Sequence, residues 1–234
     1  MTCKVFVTRP DHDDETKYLY EYSKEYIKFI ENKDIQLISF SENKCSRENV
    51  EKLILKQNPN LIVFNGHGNE EVICGCKENE DRNVLTIKIR DSQRDEIIID
   101  MKNKEILKSK IIYSVACSSA KKLGMKVAKS HTKTAFIGYE EEFIFLMDTR
   151  KMCKPLSDQI ARPFLESSNQ VVISLLKGET TGEAYNKSQV TFQKWIDYFQ
   201  SEKAALHDSI SIAWILFSNK ECQKLHGNRD VRLF

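Results

Sequence analysis

Two short, largely apolar runs constrain this chain more than any other feature: Leu61-Ile62-Val63-Phe64 and Ile111-Ile112-Tyr113-Ser114-Val115-Ala116. Runs this short and this unbroken read as strands buried on both faces, the kind that make parallel sheets. Each is followed at once by small residues around one reactive side chain, Asn65-Gly66-His67-Gly68 in the first case and Cys117-Ser118-Ser119 in the second. If the two strands are parallel neighbours, both motifs emerge at the same carboxyl edge, where open α/β sheets place their sites. A histidine and a cysteine 50 residues apart in sequence then face each other. That pairing is the working part of a cysteine hydrolase.

The rest of the pattern agrees with such a sheet. Strand signals at Val5–Thr8, Ile35–Phe40, Leu61–Phe64, Ile111–Ala116 and Thr134–Tyr139 alternate with helical periodicity at 14–32, from Ser46 onward, and at 118–130. The last third reads as helices over 156–176, 181–200 and 204–217, with Pro163 breaking or kinking the first. Between His67 and the second apolar run, Val72–Cys74 and Val84–Ile89 suggest a small hairpin on either side of a charged run, Lys77–Arg82, and a short helix or turn is expected over 105–108. At 234 residues and 41% apolar content, with no repeat or low-complexity linker, the expectation is a single domain over 1–234. Its expected class is a three-layer α/β/α sandwich around a mainly parallel sheet.

Charge and cysteine usage narrow the partners. A formal charge of +2, from 36 basic and 34 acidic residues, gives no case for a nucleic-acid or membrane surface. No stretch approaches the ~20 apolar residues that span a bilayer. Seven cysteines are an odd number in a chain whose start reads as a strand rather than a secretory signal, so reduced thiols in the cytoplasm are expected. Cys74-Gly75-Cys76 lacks a second Cys/His pair at zinc spacing and reads as an exposed thiol pair on the hairpin. His12, His131, His207 and His226 have no partner pattern, so neither a metal nor a cofactor is expected.

The chemistry needs a thiolate, and a helix N-terminus with a nearby imidazole lowers a thiol pKa. Cys117 sits where a strand ends and a helix is expected to begin. Its own N–H and that of Gly68 are the two candidate oxyanion donors, and glycine lets a carbonyl approach closely. The alternatives for each motif alone are a small buried hydrophobe for the cysteine and a simple turn for Gly-His-Gly.

These blocks, in this order, resemble the caspase-like cysteine peptidases (caspases, separase, gingipains and the bacterial CHAT domains), which carry an apolar strand and His-Gly before a second apolar strand and Ala-Cys or Gly-Cys. The Cys117-Ser118-Ser119 run is similar to separase and CHAT sequences. The CHAT and gingipain branch is also matched by Ala135–Tyr139, by Gly178-Glu179-Thr180-Thr181-Gly182-Glu183-Ala184, and by Leu225–Leu233. The chain departs from that pattern at Ala120, where a glycine is common, and at Gly227-Asn228-Arg229, where Gly-Asp-Pro is usual.

The resemblance implies a caspase-like sheet and an endopeptidase acting through a thioester. Cys117 would be nucleophile, His67 general base and then acid, and the N–H groups of Gly68 and Cys117 the oxyanion hole. No third, orienting carboxylate is required by the family or evident in the residues. By analogy with CHAT proteins, the partners would be a protein substrate and a regulatory protein in a prokaryotic antiviral-defence or cell-death system. The alternative is a catalytically silent scaffold of the same fold that only binds a partner.

In relatives the loop after the first strand helps to select the side chain before the cut. Here Asp11 or Asp13 would favour a basic residue and Arg9 an acidic one, with Glu142 and its neighbours adding negative potential. Asp13 or Asp14 could equally cap the first helix. The stretch Asp148–Lys154 is expected to be a loop bordering the site.

Overall fold

A computed structural model describes residues 2–31, 34–77, 85–90, 93–204 and 209–234. Along the chain the strands are β1 (Cys3–Arg9), β2 (Ile35–Ser41), β3 (Leu61–Phe64), β4 (Ile73–Lys77), β5 (Thr86–Arg90), β6 (Gln93–Ile99), β7 (Ile111–Ser114), β8 (Ala135–Tyr139) and β9 (Gln223–Gly227). The helices are α1 (Asp14–Glu31), α2 (Arg47–Gln57), α3 (Met125–Ala128), α4 (Arg162–Leu176), α5 (Thr181–Phe199) and α6 (Ser209–Cys222). Among the described residues, no helix is long and apolar enough to cross a membrane.

Six strands form the main sheet in the order β2-β1-β3-β7-β8-β9, parallel throughout except for β9 at the edge. Strand pleating sends alternate side chains to opposite faces. Val5, Val7, Leu61, Val63, Ile111, Tyr113, Ile137 and Tyr139 pack with α1, α4, α5 and α6 on one face. Their neighbours Phe6, Ile62, Phe64, Ile112 and Phe136 pack with α2, α3 and the turn before α3 on the other. The result is the three-layer α/β/α sandwich that the apolar runs require: both faces of each central strand are buried, at about 1.5–3 kcal/mol for each large side chain removed from water.

Several local outcomes differ from the sequence pattern, each for a physical reason. The expected hairpin is a three-stranded antiparallel sheet, β4-β6-β5, whose middle strand was not anticipated because Gln93-Arg94-Asp95-Glu96 is charged. The charged run itself lies largely outside the described residues. Cys74 and Cys76 are buried rather than exposed, because β4 turns them inward against the rest of the molecule. Ser46 flanks α2 without a side-chain cap, and the Glu96 carboxylate accepts the Arg47 N–H instead (2.8 Å), tying the small sheet to the core. Pro163 occupies the first turn of α4, where it has no hydrogen bond to lose, so it starts that helix instead of kinking a longer one. Of the expected 204–217 helix, 205–208 lie outside the described residues; α6 continues past the expected end to Cys222 and runs straight into β9, which pairs with β8.

Candidate functional site

The register of the central strands decides what meets what. Thr8 on β1 pairs with Phe64 on β3, and Phe64 pairs with Ser114 on β7. His67 and Cys117 therefore each lie three residues beyond a matched pair, on neighbouring parallel strands at one carboxyl edge. Asn65 locks the exit of β3 to that of β1. Its N–H donates to Thr8 Oγ1 (3.2 Å), and its side-chain amide donates to the Thr8 carbonyl (2.8 Å) and to the Tyr26 hydroxyl oxygen (3.1 Å). Just past β7 the Val115 N–H donates to the Phe64 carbonyl (2.9 Å), so the two exits stay together to within two residues of Cys117.

Two glycines shape the turn around His67. Gly66 holds φ +139°, a backbone conformation that L side chains rarely adopt. Gly68 packs so closely that a Cβ would lie 2.9 Å from Ala116 Cβ, which places the backbone beside His67 against the residue before Cys117. Gly68 faces Ile73 as the non-bonded member of an antiparallel bridge, whose two bonds are Cys74 N–H to His67 O and Asn69 N–H to Val72 O. The Gly68 N–H consequently points away from that bridge. Neither it nor the Cys117 N–H meets a backbone acceptor among the described residues.

Cys117 does not begin a regular helix. Ser118 adopts a left-handed conformation (φ +54°), with its N–H donating to the Glu141 carbonyl (2.9 Å). Residues Ala120–Gly124 then form a π-turn that leads into the short α3. A left-handed non-glycine residue of this kind is held only where its surroundings insist on it. Ser119 anchors the turn from below, its hydroxyl donating to Ala116 O (2.8 Å) and paired with the Ser114 hydroxyl (2.9 Å).

The expected lowering of the thiol pKa is not met. Burial pushes Cys117 up, and Glu142 and Glu15 add to the rise. The Phe143 N–H and the residue's own N–H pull in the opposite direction without reversing it. The resting thiol is therefore neutral near pH 7. No hydrogen bond joins it to His67.

His67 instead engages Asp13, which the sequence offers as a substrate selector or a cap of the first helix but not as the orienting carboxylate. Its Nε2–H donates to Asp13 Oδ2 at 2.7 Å. Asp13 also caps α1, its Oδ1 accepting the Thr16 N–H (2.7 Å) and the Thr16 hydroxyl (2.7 Å). One carboxylate thus fixes both the start of α1 and the orientation of the imidazole. Burial disfavours the His67 cation, but Asp13, assisted by Asp95 and Glu15, outweighs it and raises the pKa. With Nε2 carrying its hydrogen toward Asp13, Nδ1 is the basic nitrogen of the neutral ring.

The other residues of the anticipated substrate loop are distributed differently. Arg9 is turned onto α1: its Nε–H donates to Ser23 Oγ (2.7 Å), its Nη2–H donates to Tyr20 O (3.2 Å), and its guanidinium lies 3.9 Å over the Tyr20 ring. Asp11 is half-buried within that loop, and Glu142 is exposed beside Phe143. Asp148–Lys154 contains a 3-10 turn and is fastened at its start, where the Asp148 N–H donates to Asp158 Oδ2 (2.8 Å).

Two residues the sequence had not implicated also converge here. His12 donates from Nε2 to Asp95 Oδ1 (3.0 Å) and lies 3.8 Å from Asp13 Oδ2. His12, His67 and the fully buried Asp95 present ligand atoms that all lie within 4.8 Å of one another. The adjacency of His12 to Asp13 was the available signal. Asp95 has none, because the charged Gln93-Arg94-Asp95-Glu96 carries no strand pattern. The cavity of ≈450 Å³ lined by Phe199, Ile210, Trp214 and Phe217 lies among the late helices and contains none of these groups.

No protein-family model and no curated protein matches this chain.

Proposed function

We propose that this protein is a cysteine endopeptidase of the caspase-like type. The single observation that carries the reading is the placement, at one sheet edge, of a carboxylate-held imidazole, a thiol beyond the adjacent strand, and the Gly68 and Cys117 amides, which meet no backbone acceptor among the described residues. In this reading Nδ1 of His67 takes the Cys117 proton, and the sulfur attacks the scissile carbonyl carbon. The oxyanion is held by the N–H groups of Gly68 and Cys117. The imidazolium then protonates the departing amine, and water, deprotonated by the same ring, hydrolyses the thioester. Asp13 acts as a positioning residue, holding the tautomer and favouring the imidazolium that forms. The neutral resting thiol and the lack of a His67–Cys117 hydrogen bond fit an enzyme that a protein partner or substrate must first bring into line.

Those same two features favour a second reading, a silent scaffold that binds a partner without turnover. A peptide acyloxymethyl ketone separates the two. Intact-mass spectrometry should show one adduct per chain, lost in both Cys117→Ala and His67→Ala. An adduct that survives Cys117→Ala, or no adduct on the wild type with or without candidate partners, would leave the scaffold.

A further inference from the structure

We infer that His12, His67 and Asp95 form a binding site for a divalent transition-metal ion, which switches off the Cys117 centre by taking His67 Nε2 as a ligand. The three side chains come from the loop after β1, the turn after β3, and the middle strand of the small sheet, and their donor atoms fall within 4.8 Å of one another. A tetrahedral zinc ion with bonds of about 2.0–2.1 Å needs its ligand atoms roughly 3.3 Å apart. His12 Nε2 and Asp95 Oδ1, at 3.0 Å, already meet that spacing. Asp13 Oδ2, 2.7 Å from His67 Nε2 and 3.8 Å from His12 Nε2, stands where it can supply the remaining position or hold a metal-bound water. Two imidazoles with carboxylates suit zinc and its neighbours in the first transition row, and do not suit magnesium or calcium, which take oxygen cages. The carboxylates of Asp95 and Asp13 and the nearby Glu15 supply the negative charge that a dication requires.

The consequence for Cys117 follows from the tautomer. Asp13 keeps hydrogen on Nε2 and so leaves Nδ1 basic. A metal on Nε2 displaces that hydrogen, and the neutral ring must then carry its hydrogen on Nδ1. The ring can no longer accept the thiol proton, so metal occupancy and proton transfer exclude each other. This regulatory half rests on the peptidase reading, whereas the binding half does not.

The two halves are tested separately on the full chain. Zn2+ titrated into chelator-treated Cys117→Ala should bind at one ion per chain. Affinity should fall about tenfold or more in His12→Ala and in Asp95→Asn, each made in that background. Because Asp95 is fully buried, His12→Ala, whose side chain is only partly exposed, is the deciding variant. Co2+ substituted at the site should give visible bands without a thiolate charge-transfer band. Saturating Zn2+ should suppress ketone labelling of the wild-type thiol at least tenfold, reversed by chelator, and the suppression should largely vanish in His12→Ala. Absence of stoichiometric binding, equal affinity in His12→Ala, or a thiolate band would overturn the site even if labelling succeeds. Zn2+ bound through His12 with labelling unaffected would overturn the switch.

Discussion

Replacing Gly68 by alanine tests the site at its tightest point. The added Cβ would meet Val72 O at 2.6 Å and Ala116 Cβ at 2.9 Å, where ordinary contact begins near 3.4 Å. Both obstacles are backbone or the stub of a side chain, so neither can swing aside. The turn must move by roughly 0.8 Å from the Val72 carbonyl and roughly 0.5 Å from Ala116. Overpacking of this size costs about 1–3 kcal/mol. For a chain of this length that corresponds to a melting point lower by about 2–12 °C.

The effect on reactivity should be larger. Ala116 immediately precedes Cys117, and Gly68 carries one of the two proposed oxyanion donors, so the displacement falls on the gap between them. A misplacement of about 1 Å can cost on the order of a hundredfold in rate. Thermal unfolding and the second-order rate of ketone labelling, measured on the same preparation, should show a modest loss of stability beside a labelling rate lower by about tenfold to a hundredfold. Adding Ala116→Gly removes one of the two contacts and should restore part of the stability. A Gly68→Ala protein as stable and as reactive as the parent would refute the packing of the two turns. One that is destabilised but labels normally would refute the role given to the Gly68 amide.

Two further consequences concern Asp13 and Asp158. His67 titrates above the ordinary histidine value, so the stability it contributes is fully present below about pH 6.5 and is lost as pH rises through the folded-state value. Asp13→Asn should lower the His67 midpoint followed by NMR in chelator-treated protein and weaken that pH dependence; an unmoved or higher midpoint would refute the assigned cause. The buried Asp158 carboxylate accepts from the Tyr18 hydroxyl (2.7 Å) and from the N–H groups of Asp148 (2.8 Å), Ile160 (2.8 Å) and Ala161 (3.2 Å). Asp158→Ala should therefore cost about 3 kcal/mol or more in urea unfolding, and a loss below about 1 kcal/mol would show that these donors find other partners.

Local periodicity carries the part of this protein that was legible from its residues. Leu61–Phe64 is the strand the apolar run specified, and α1 and α5 begin where their residues indicated, because burial on a face and capping are written within a few neighbours. Pattern could not reach β9, whose buried Gln223 is satisfied by Tyr139 and Ser188, or β6, whose acidic residues find partners far away in sequence, Asp95 at His12 and Glu96 at the Arg47 N–H. The tertiary structure alone decided that Asp13 holds His67 across 54 positions and that His12 meets Asp95 across 83. Such contacts depend on strand order and register. These bring loops together by hydrogen-bonding geometry that no single segment encodes.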